Sequence, residues 1–460
     1  MKIGFEYQRR LRGTRFRLFP HMPLAEADPV PETVWLSPRP GAIGPGPEDD
    51  RMYVVDPIGK QRAYGPMAGG GRRSRLYLPP WTGPIEAPAE PGPDGHFDHL
   101  EPDMPGFEAA HVYGTVRFVL DVWEGYLGGP IDWHFGADFD KLEISILRDL
   151  NNALMGYGFM EIGYDQTVDG GPRPFTLSFD VMAHEVGHAI IYSLVGVPTP
   201  ETAEGEYFGF HESAADQVAL IAVLHFDSVI DRLLERSRGN LYTFNRLNRF
   251  AELTEESQLR IAANDLTLAD FAPGWRDEHM LGQPLTGAAF DILVDIFHEQ
   301  LLERGLISPR VEDLADQLEY RPESEGIIQG LFDKAYARNP AGFKQALIET
   351  RDIMGDLLAG AWSRLSPDFL HFDKVGDAML DADLAQTGGR FQSQILQNFR
   401  WRDIGRVQVG PRLGPLSPDS HMDSARTLVP ESRANGPRPS YWQRRMNARA
   451  GGWARDNQTT

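Results

Sequence analysis

The pattern of apolar and polar positions changes along the chain, and each change predicts a different kind of element. Apolar residues recur at helical spacing from Phe107 to Tyr126, and Gly128 and Pro130 then predict the end of that helix. Residues 141–165 alternate in the manner of strands. Helices dominate the rest of the pattern to about residue 386, and the clearest are predicted at 179–194, 210–224, 226–238, 256–264, 286–303, 326–337 and 341–359, with a polar loop at 199–207. Strands in one part and helices in the next predict an α+β fold.

The two ends of the chain differ from this middle part. Residues 1–105 hold 18 of the 35 prolines, with short strand-like pieces at 52–56 and 76–78. Residues 401–460 contain ten arginines, no lysine and five acidic residues, and this basic end is expected to be poorly ordered or to lie over the acidic body. These changes divide the chain into an extended Pro/Gly-rich arm or small β region at 1–105, a first lobe at 106–225, a mainly helical lobe at 226–400 and a basic tail at 401–460.

The strongest chemical pattern lies in the predicted helix 179–194. His184 and His188 are four residues apart, so both imidazoles lie on one face of the helix and can reach the same ion. Glu185 lies beside them, where it would take a proton from a water molecule that the ion activates. The simpler alternative is a helix with two hydrogen-bonded histidines and no metal.

The next predicted helix supplies a third ligand. Glu212 and Asp216 are spaced four apart on it, and two histidines with one carboxylate form a catalytic zinc set that leaves the fourth position for water. Asp216 is then expected to accept a hydrogen bond from the other ring nitrogen of a ligand histidine. The sequence therefore predicts one zinc ion per chain, and the alternative is an unrelated acidic helix.

The segment from Leu177 to Ile190, followed by Glu212 to Asp216, resembles the thermolysin-like (gluzincin) metallopeptidases, in which an H-E-x-x-H helix precedes an E-x-x-x-D helix. The resemblance covers roughly residues 106–300. It implies a thermolysin-like (zincin) catalytic lobe and a helical lobe that closes a cleft over the metal. It also implies a zinc metalloendopeptidase that hydrolyses peptide bonds with Glu185 as the general base.

The resemblance further implies residues that contact the substrate. Asn152 and Ala153 lie where the family has an edge strand that pairs with the peptide backbone, and an ordinary Asn-rich strand or turn is the alternative. His279 is the best match to the histidine that stabilises the oxyanion, and a helix-capping or surface histidine is the alternative. Tyr207, the nearest tyrosine before Glu212, is the candidate for the tyrosine that assists this histidine.

The chain also departs from the family. In the family an asparagine precedes the third ligand, and a later glutamate helps to hold a double calcium site. His211 and Val223 occupy these places here, and the loss of the carboxylate argues against calcium. Arg246 and Arg249 lie roughly where the family has an arginine that holds the substrate carbonyl, and solvated helix-face arginines are the favoured alternative.

Composition and charge limit the partners. The net charge of −21 argues against nucleic acid or an anionic membrane as the main partner, and no apolar run is long enough for a membrane span. The chain has no cysteine, which excludes disulfides and thiolate metal sites. No signal peptide is visible, so a cytoplasmic protein or one exported by another route is expected. The expected partner is a peptide or protein substrate, and the oligomeric state is left open.

Two other functions fit the same motifs. The chain is alternatively a non-catalytic binding or structural protein that retains a zinc site, or a hydrolase of the same fold with one restricted peptide substrate. Glu185 counts against a purely structural site, because such a site needs no general base.

Overall fold

A computed structural model describes residues 9–23, 29–66, 76–166, 172–241, 264, 266–311, 314 and 325–413. These residues form a mixed α+β protein, as the sequence predicted. The strands are β1 (Thr14–Leu18), β2 (Glu32–Leu36), β3 (Met52–Val55), β4 (Gly65–Pro66), β5 (Leu76–Tyr77), β6 (Leu142–Ile146), β7 (Ala153–Met155), β8 (Phe159–Ile162), β9 (Tyr164–Gln166) and β10 (Pro172–Pro174). The helices are α1 (Phe107–Leu127), α2 (Phe179–Leu194), α3 (Gly205–Val223), α4 (Asp227–Ser237), α5 (Glu278–Glu303), α6 (Glu325–Arg338), α7 (Pro340–Trp362), α8 (Phe372–Thr387) and α9 (Gln392–Trp401). The predictions that lie outside the described residues concern Arg246, Arg249, nearly all of the helix 256–264 and the tail beyond residue 413.

A four-stranded sheet supports the first predicted lobe. Its strand order is β3–β6–β8–β7, with β3, β6 and β8 parallel and β7 antiparallel along one edge. Ile144 and Ile146 of β6 belong to the main hydrophobic core. Glu143 and Ser145 alternate with them on the opposite face and are also fully buried. A strand buried on both faces needs cover on both sides of the sheet.

Strands from residues 9–23, 29–66 and 76–105, the described part of the predicted arm, belong to the fold. The predicted strand pieces at 52–56 and 76–78 are confirmed as β3 and β5, and β3 pairs in parallel with β6. The antiparallel ribbon of β1 and β2, which packs against α1, was not predicted. Phe16 and Leu18 of β1 alternate with arginines, so a period of two was present in the sequence. These strand pairings favour the small β region over the extended arm.

The predicted boundaries of α1 and α2 agree with the structure. α1 ends where predicted, because Gly128 has a φ of 77°, a left-handed conformation that glycine adopts without strain. α2 has the predicted bounds of 179–194. The helices predicted at 226–238, 326–337 and 341–359 are confirmed as α4, α6 and α7.

Two helices begin earlier than predicted, because a contact distant in sequence holds the first turn of one and a local cap holds the first turn of the other. α3 begins at Gly205, inside the predicted loop 199–207, where the carboxylate of Glu206 accepts a hydrogen bond from the backbone N–H of Phe372 at 2.6 Å. α5 begins at Glu278, where the carboxylate of Asp277 caps the backbone N–H groups of the first turn. α3 thus begins about one turn before its predicted start at residue 210, and α5 begins about two turns before its predicted start at residue 286.

One continuous hydrophobic core joins the two predicted lobes. It runs from Phe16 in β1 to Ile404 after α9, and α5 packs along α3 within it. α5 is long and apolar enough to span a membrane, with a mean hydropathy of 1.2, but 83% of that stretch is buried inside the protein. The hydrophobic core therefore continues across residue 225, where the boundary between the two lobes was predicted.

Candidate metal centre

α2 presents two histidines to the interior. Ser178 caps the helix, because its hydroxyl accepts a hydrogen bond from the backbone N–H of Val181 at 3.5 Å. His184 and His188 follow one turn apart, and their ring centroids are separated by 4.7 Å. Both side chains are largely enclosed, so contact with bulk solvent is small.

Gly187 allows α3 to approach α2 closely. A Cβ atom at residue 187 would lie 2.7 Å from the Cα atom of Ala215, closer than real Cβ contacts. The close approach places Oε2 of Glu212 at 3.3 Å from Nε2 of His184 and 3.8 Å from Nε2 of His188. One ligand atom from each of these three residues lies within 4.8 Å of the other two.

Two of the three separations between these donor atoms can be compared with those around a zinc ion. Around a tetrahedral zinc with bonds of ~2.0–2.2 Å, neighbouring ligand atoms lie about 3.3–3.6 Å apart. The separations of 3.3 and 3.8 Å are close to this range. Imidazole nitrogen and carboxylate oxygen are both zinc ligands, and three of them leave one position for a further ligand.

Asp216 orients the first histidine. Its Oδ1 atom lies 2.9 Å from Nδ1 of His184, while Nε2 of the same ring faces Glu212. This contact favours the ring hydrogen on Nδ1, so that Nε2 is the nitrogen that could bind a metal. The structure therefore places Asp216 where the sequence predicted it.

His211 orients the second histidine, a contact that the sequence did not reveal. Its Nδ1 atom lies 2.7 Å from Nδ1 of His188, and the two ring planes differ by 10°. His211 directly precedes Glu212, but neighbouring residues on a helix point in different directions, so adjacency alone predicted no contact. Only the packing of α3 on α2 brings the two rings together.

The electrostatic environment favours the protonation states that a metal requires. Burial lowers the pKa of His188 well below its ordinary value, so this imidazole is neutral at pH 7. Burial alone would raise the pKa of Glu212, but the adjacent His279 and His188 hold it well below its ordinary value. A neutral imidazole and an ionised carboxylate bind a metal without first losing a proton.

His279 lies at the same centre. The first turn of α5 places its Nδ1 atom 2.6 Å from Oε2 of Glu212, and its ring centroid lies 6.4 Å from that of His184. Only 12% of its side chain is exposed, so it is not a surface histidine. The candidate histidine from the second predicted lobe thus meets the metal-ligand set.

Glu185 and Tyr192 lie beside the ligands. Glu185 is buried, as a general base within an enclosed site would be. Burial, and then the charges of Glu212 and Glu185, raise the pKa of Tyr192 to about 12. The ring of Tyr192 also lies 4.1 Å from that of His211. Sequence reasoning missed Tyr192, although its position one turn after His188 was an available signal.

The hydroxyl of Tyr207 is engaged by the backbone. It donates a hydrogen bond to the carbonyl of Gly196 at 2.8 Å, and its ring centroid lies 5.8 Å from that of His211. Burial raises the pKa of Tyr207 well above its ordinary value. These contacts lend no support to the assisting role predicted for Tyr207, which stays a prediction.

The predicted edge strand is confirmed. β7 forms one edge of the four-stranded sheet, lies antiparallel to β8 and packs against α2. The backbone groups of Asn152 and Gly156, at either end of β7, form hydrogen bonds toward the β8 side. In an antiparallel ladder every second residue bonds to the partner strand, so the N–H and C=O groups of Met155 face away from β8. An extended peptide can pair with such outward-facing groups.

Asn152 and Ala153 stabilise the start of this strand. The backbone carbonyl of Asn152 accepts a hydrogen bond from Gly163, and its side-chain Oδ1 accepts one from the backbone N–H of Ala153, both at 2.9 Å. Both residues are buried. Their contact with a substrate stays a prediction, because their described contacts lie within the sheet.

A scan of the chain against protein-family models found no match, and a search of curated protein sequences found none either.

Proposed function

We propose that this protein is a zinc-dependent metallopeptidase with a thermolysin-like site. The observation that carries the proposal is the convergence of the ring nitrogens of His184 and His188 and a carboxylate oxygen of Glu212 within 4.8 Å. Glu185 adds a buried carboxylate on the same helix. A purely structural metal site does not need this carboxylate, whereas a hydrolytic site needs a base.

The ligands and the base have separate tasks. His184, His188 and Glu212 would hold zinc, which when bound polarises a carbonyl and makes a water molecule more acidic. Glu185 accepts the proton that this water loses and passes it to the leaving amine. Asp216 keeps the ring of His184 in place during these steps.

His279 and β7 would act on the substrate. His279 donates a hydrogen bond to the carbonyl oxygen on which negative charge develops. The outward-facing backbone groups of Met155 pair with an extended peptide and align it along α2. Backbone pairing with β7 requires an extended chain, so it favours a peptide substrate over a small compact molecule.

One observation favours a structural zinc site as the second candidate. Structural zinc usually has four protein ligands. Nδ1 of His279 lies close enough to Glu212, at 2.6 Å, to supply a fourth ligand after a small shift. In that arrangement no position remains for water, and the protein binds zinc without hydrolysing peptides.

Metal content and peptide cleavage, measured together, test the proposal. Wild type is expected to bind about one zinc per chain and to cleave a quenched peptide library, and Glu185→Gln is expected to keep the zinc and lose the cleavage. Glu201→Gln, at an exposed position outside the centre, is the matched control and should behave as wild type.

Each other outcome has a distinct meaning. Zinc without cleavage in wild type supports the structural site, unless a wider set of substrates reveals one restricted peptide. Cleavage by Glu185→Gln at the wild-type rate would refute the proposed mechanism. Protein without zinc would refute the metal centre itself.

A further inference from the structure

A buried polar cluster lies on the face of the sheet opposite the main core. Tyr64, Leu154 and Phe159 form a second, smaller hydrophobic cluster there. Glu143 of β6 and Glu161 of β8 are fully buried beside it, and both accept hydrogen bonds from Tyr64. The metal centre uses none of these residues.

Lys60 is buried against Glu161. Its Nζ atom lies 2.6 Å from Oε1 of Glu161, and the two side chains are 1% and 0% exposed. The same Nζ atom lies 3.2 Å from the ring centroid of Tyr64, and the rings of Tyr77 and Trp81 lie within 6 Å of it. An amine and a carboxyl group are thus held in contact inside an aromatic enclosure.

Burial drives both groups toward their neutral forms. It lowers the pKa of Lys60, against the opposing attraction of Glu161. It raises the pKa of Glu161, again against the opposing attraction of Lys60. A proton that moves from the ammonium group to the carboxylate leaves a free amine, which is a nucleophile, facing a carboxylic acid.

Two neighbouring contacts supply a donor that stabilises an oxyanion and a path for the proton that the amine releases, both of which an acyl transfer needs. The backbone N–H of Tyr64 donates a hydrogen bond to Oε2 of Glu161 at 2.8 Å, where it would stabilise an oxyanion. Ser145 connects the amine with a second carboxylate, since its Oγ atom lies 3.4 Å from Nζ of Lys60 and donates to Oε1 of Glu143 at 3.1 Å. A proton released by the amine therefore has a path to a buried base.

We propose that Lys60 and Glu161 condense to form an intramolecular isopeptide bond. Nζ of Lys60 attacks Cδ of Glu161, the new C–N bond forms, the C–OH bond breaks and one water molecule leaves. The departing hydroxyl takes the proton that the amine gives up, carried by Ser145 and Glu143, so the reaction needs no oxidant, reductant or other co-reactant. The fixed contact favours it, because well-oriented groups within one molecule react as if at effective concentrations of about 10⁵–10⁸ M.

The bond ties the chain that covers the sheet to the sheet itself. Lys60 belongs to the segment between β3 and β4, and Glu161 belongs to β8. A chain without cysteine cannot place a disulfide there. An isopeptide bond gives the same kind of covalent restriction of the unfolded state.

The intact mass of the purified, denatured full chain tests this proposal. Wild type is expected to be lighter than its calculated mass by one water molecule. Proteolytic digestion is expected to release one branched peptide that joins the segment around Lys60 to the segment around Glu161. Lys60→Met, which lacks the amine, and Glu143→Gln, which lacks the base, are expected at their full calculated masses.

A second lysine–glutamate pair provides the matched control. Lys141 and Glu48 also lie 2.6 Å apart, but their side chains are 31% and 50% exposed. Lys141→Met is therefore expected to keep the loss of one water molecule. Wild type at its full calculated mass overturns the proposal, as does a loss that maps to another peptide or that persists in Lys60→Met. The wild-type mass and the branched peptide show whether the bond between Lys60 and Glu161 forms, even where a variant does not fold.

Discussion

The Nδ1 atoms of His188 and His211 lie 2.7 Å apart across the α2–α3 interface. One of these nitrogens must carry a hydrogen, because two lone pairs at that distance would repel each other. The pair therefore fixes the orientation of His188 from outside the ligand set. His184 is held in the same manner by Asp216, so the orientation of both candidate ligand histidines depends on α3.

Loss of the His211 ring is expected to weaken zinc binding. His211→Ala should lower the zinc affinity about 10–100-fold, because the ring of His188 loses the partner that orients it. His211→Asn, which keeps a hydrogen-bonding group at this place, should retain most of the affinity. Competition with a chromophoric chelator measures the difference. Equal affinity in wild type and His211→Ala would mean that packing alone holds His188.

His279 separates the two candidate functions. In a peptidase, His279→Gln should lower kcat about 10²–10³-fold with little change in KM, because a donor to the transition state is lost while the zinc remains. In a structural site, the same substitution should instead release zinc. Steady-state kinetics and metal analysis of one protein sample distinguish these results. His99→Gln, at an exposed position, is the control for a general effect of replacing histidine.

Gly187 is expected to be essential for the approach of α3 to α2. Gly187→Ala places a Cβ atom 2.7 Å from the backbone of Ala215, so the helices must separate. Overpacking of this kind should lower the free energy of unfolding by about 1–3 kcal/mol and should also weaken zinc binding. Urea unfolding of the metal-free protein measures the first effect.

Gly330→Ala is the control for the helical glycine itself. Gly330 lies in α6, and an added Cβ atom meets nothing within 4 Å. This substitution should raise the free energy of unfolding by about 0.4–1 kcal/mol. If Gly187→Ala and Gly330→Ala change the free energy of unfolding by the same amount and in the same direction, the close contact between α2 and α3 at residue 187 does not limit stability.

His111 makes the stability of the fold depend on pH. Its Nε2 atom accepts a hydrogen bond from the backbone N–H of Phe19, its Nδ1 atom contacts the carbonyl of Thr176, and burial lowers its pKa to about 4. Because the folded pKa lies below the ordinary value of 6.5, the unfolded chain takes up the proton first as the pH falls. The contribution of neutral His111 to the free energy of unfolding is therefore fully present above pH ~6.5 and is lost as the pH falls toward ~4. At pH 5 the free energy of unfolding is lower by about 2 kcal/mol.

His111→Gln isolates this contribution. Glutamine can accept from Phe19 and donate to Thr176, but it does not titrate. The variant should lose less stability than wild type between pH 7 and pH 5, by about 2 kcal/mol. Burial also lowers the pKa of His134 to about 4, but that residue is present in both proteins and cancels in the comparison. Urea unfolding at the two pH values gives the result, and an equal loss in both proteins would contradict the assignment.

The side-chain cluster of the candidate metal centre was predictable where its geometry is local. The spacing of His184 and His188 on one helix, and of Glu212 and Asp216 on another, follows from the repeat of a single helix. The pairing of His211 with His188 was not predictable in this way, because it depends on how two helices pack. The hydroxyl contact of Tyr207 is likewise a tertiary contact, made with the end of the preceding helix.

The order of the strands in the sheet was also not predictable from local sequence patterns. Residues 141–165 read as strands because apolar and polar positions alternate, but alternation does not reveal strand order. The parallel neighbours of β6 are β3 and β8, and no local pattern indicates that β3 is one of them. The burial of Lys60 and Glu143 follows from that order, because the chain that leads away from β3 then covers the sheet.

The pairing of β3 with β6 also sets an order of events during protein synthesis. Met52 of β3 lies opposite Leu142 of β6, so about 90 residues must be added before the partner strand exists. At ~5–20 residues per second, the ribosome needs on the order of ten seconds for this interval. Throughout that time the nascent β3 has no parallel neighbour, and the sheet that supports the metal-ligand helices cannot close. Co-translational folding of the four-stranded sheet is therefore delayed at β3, however quickly the later helices form.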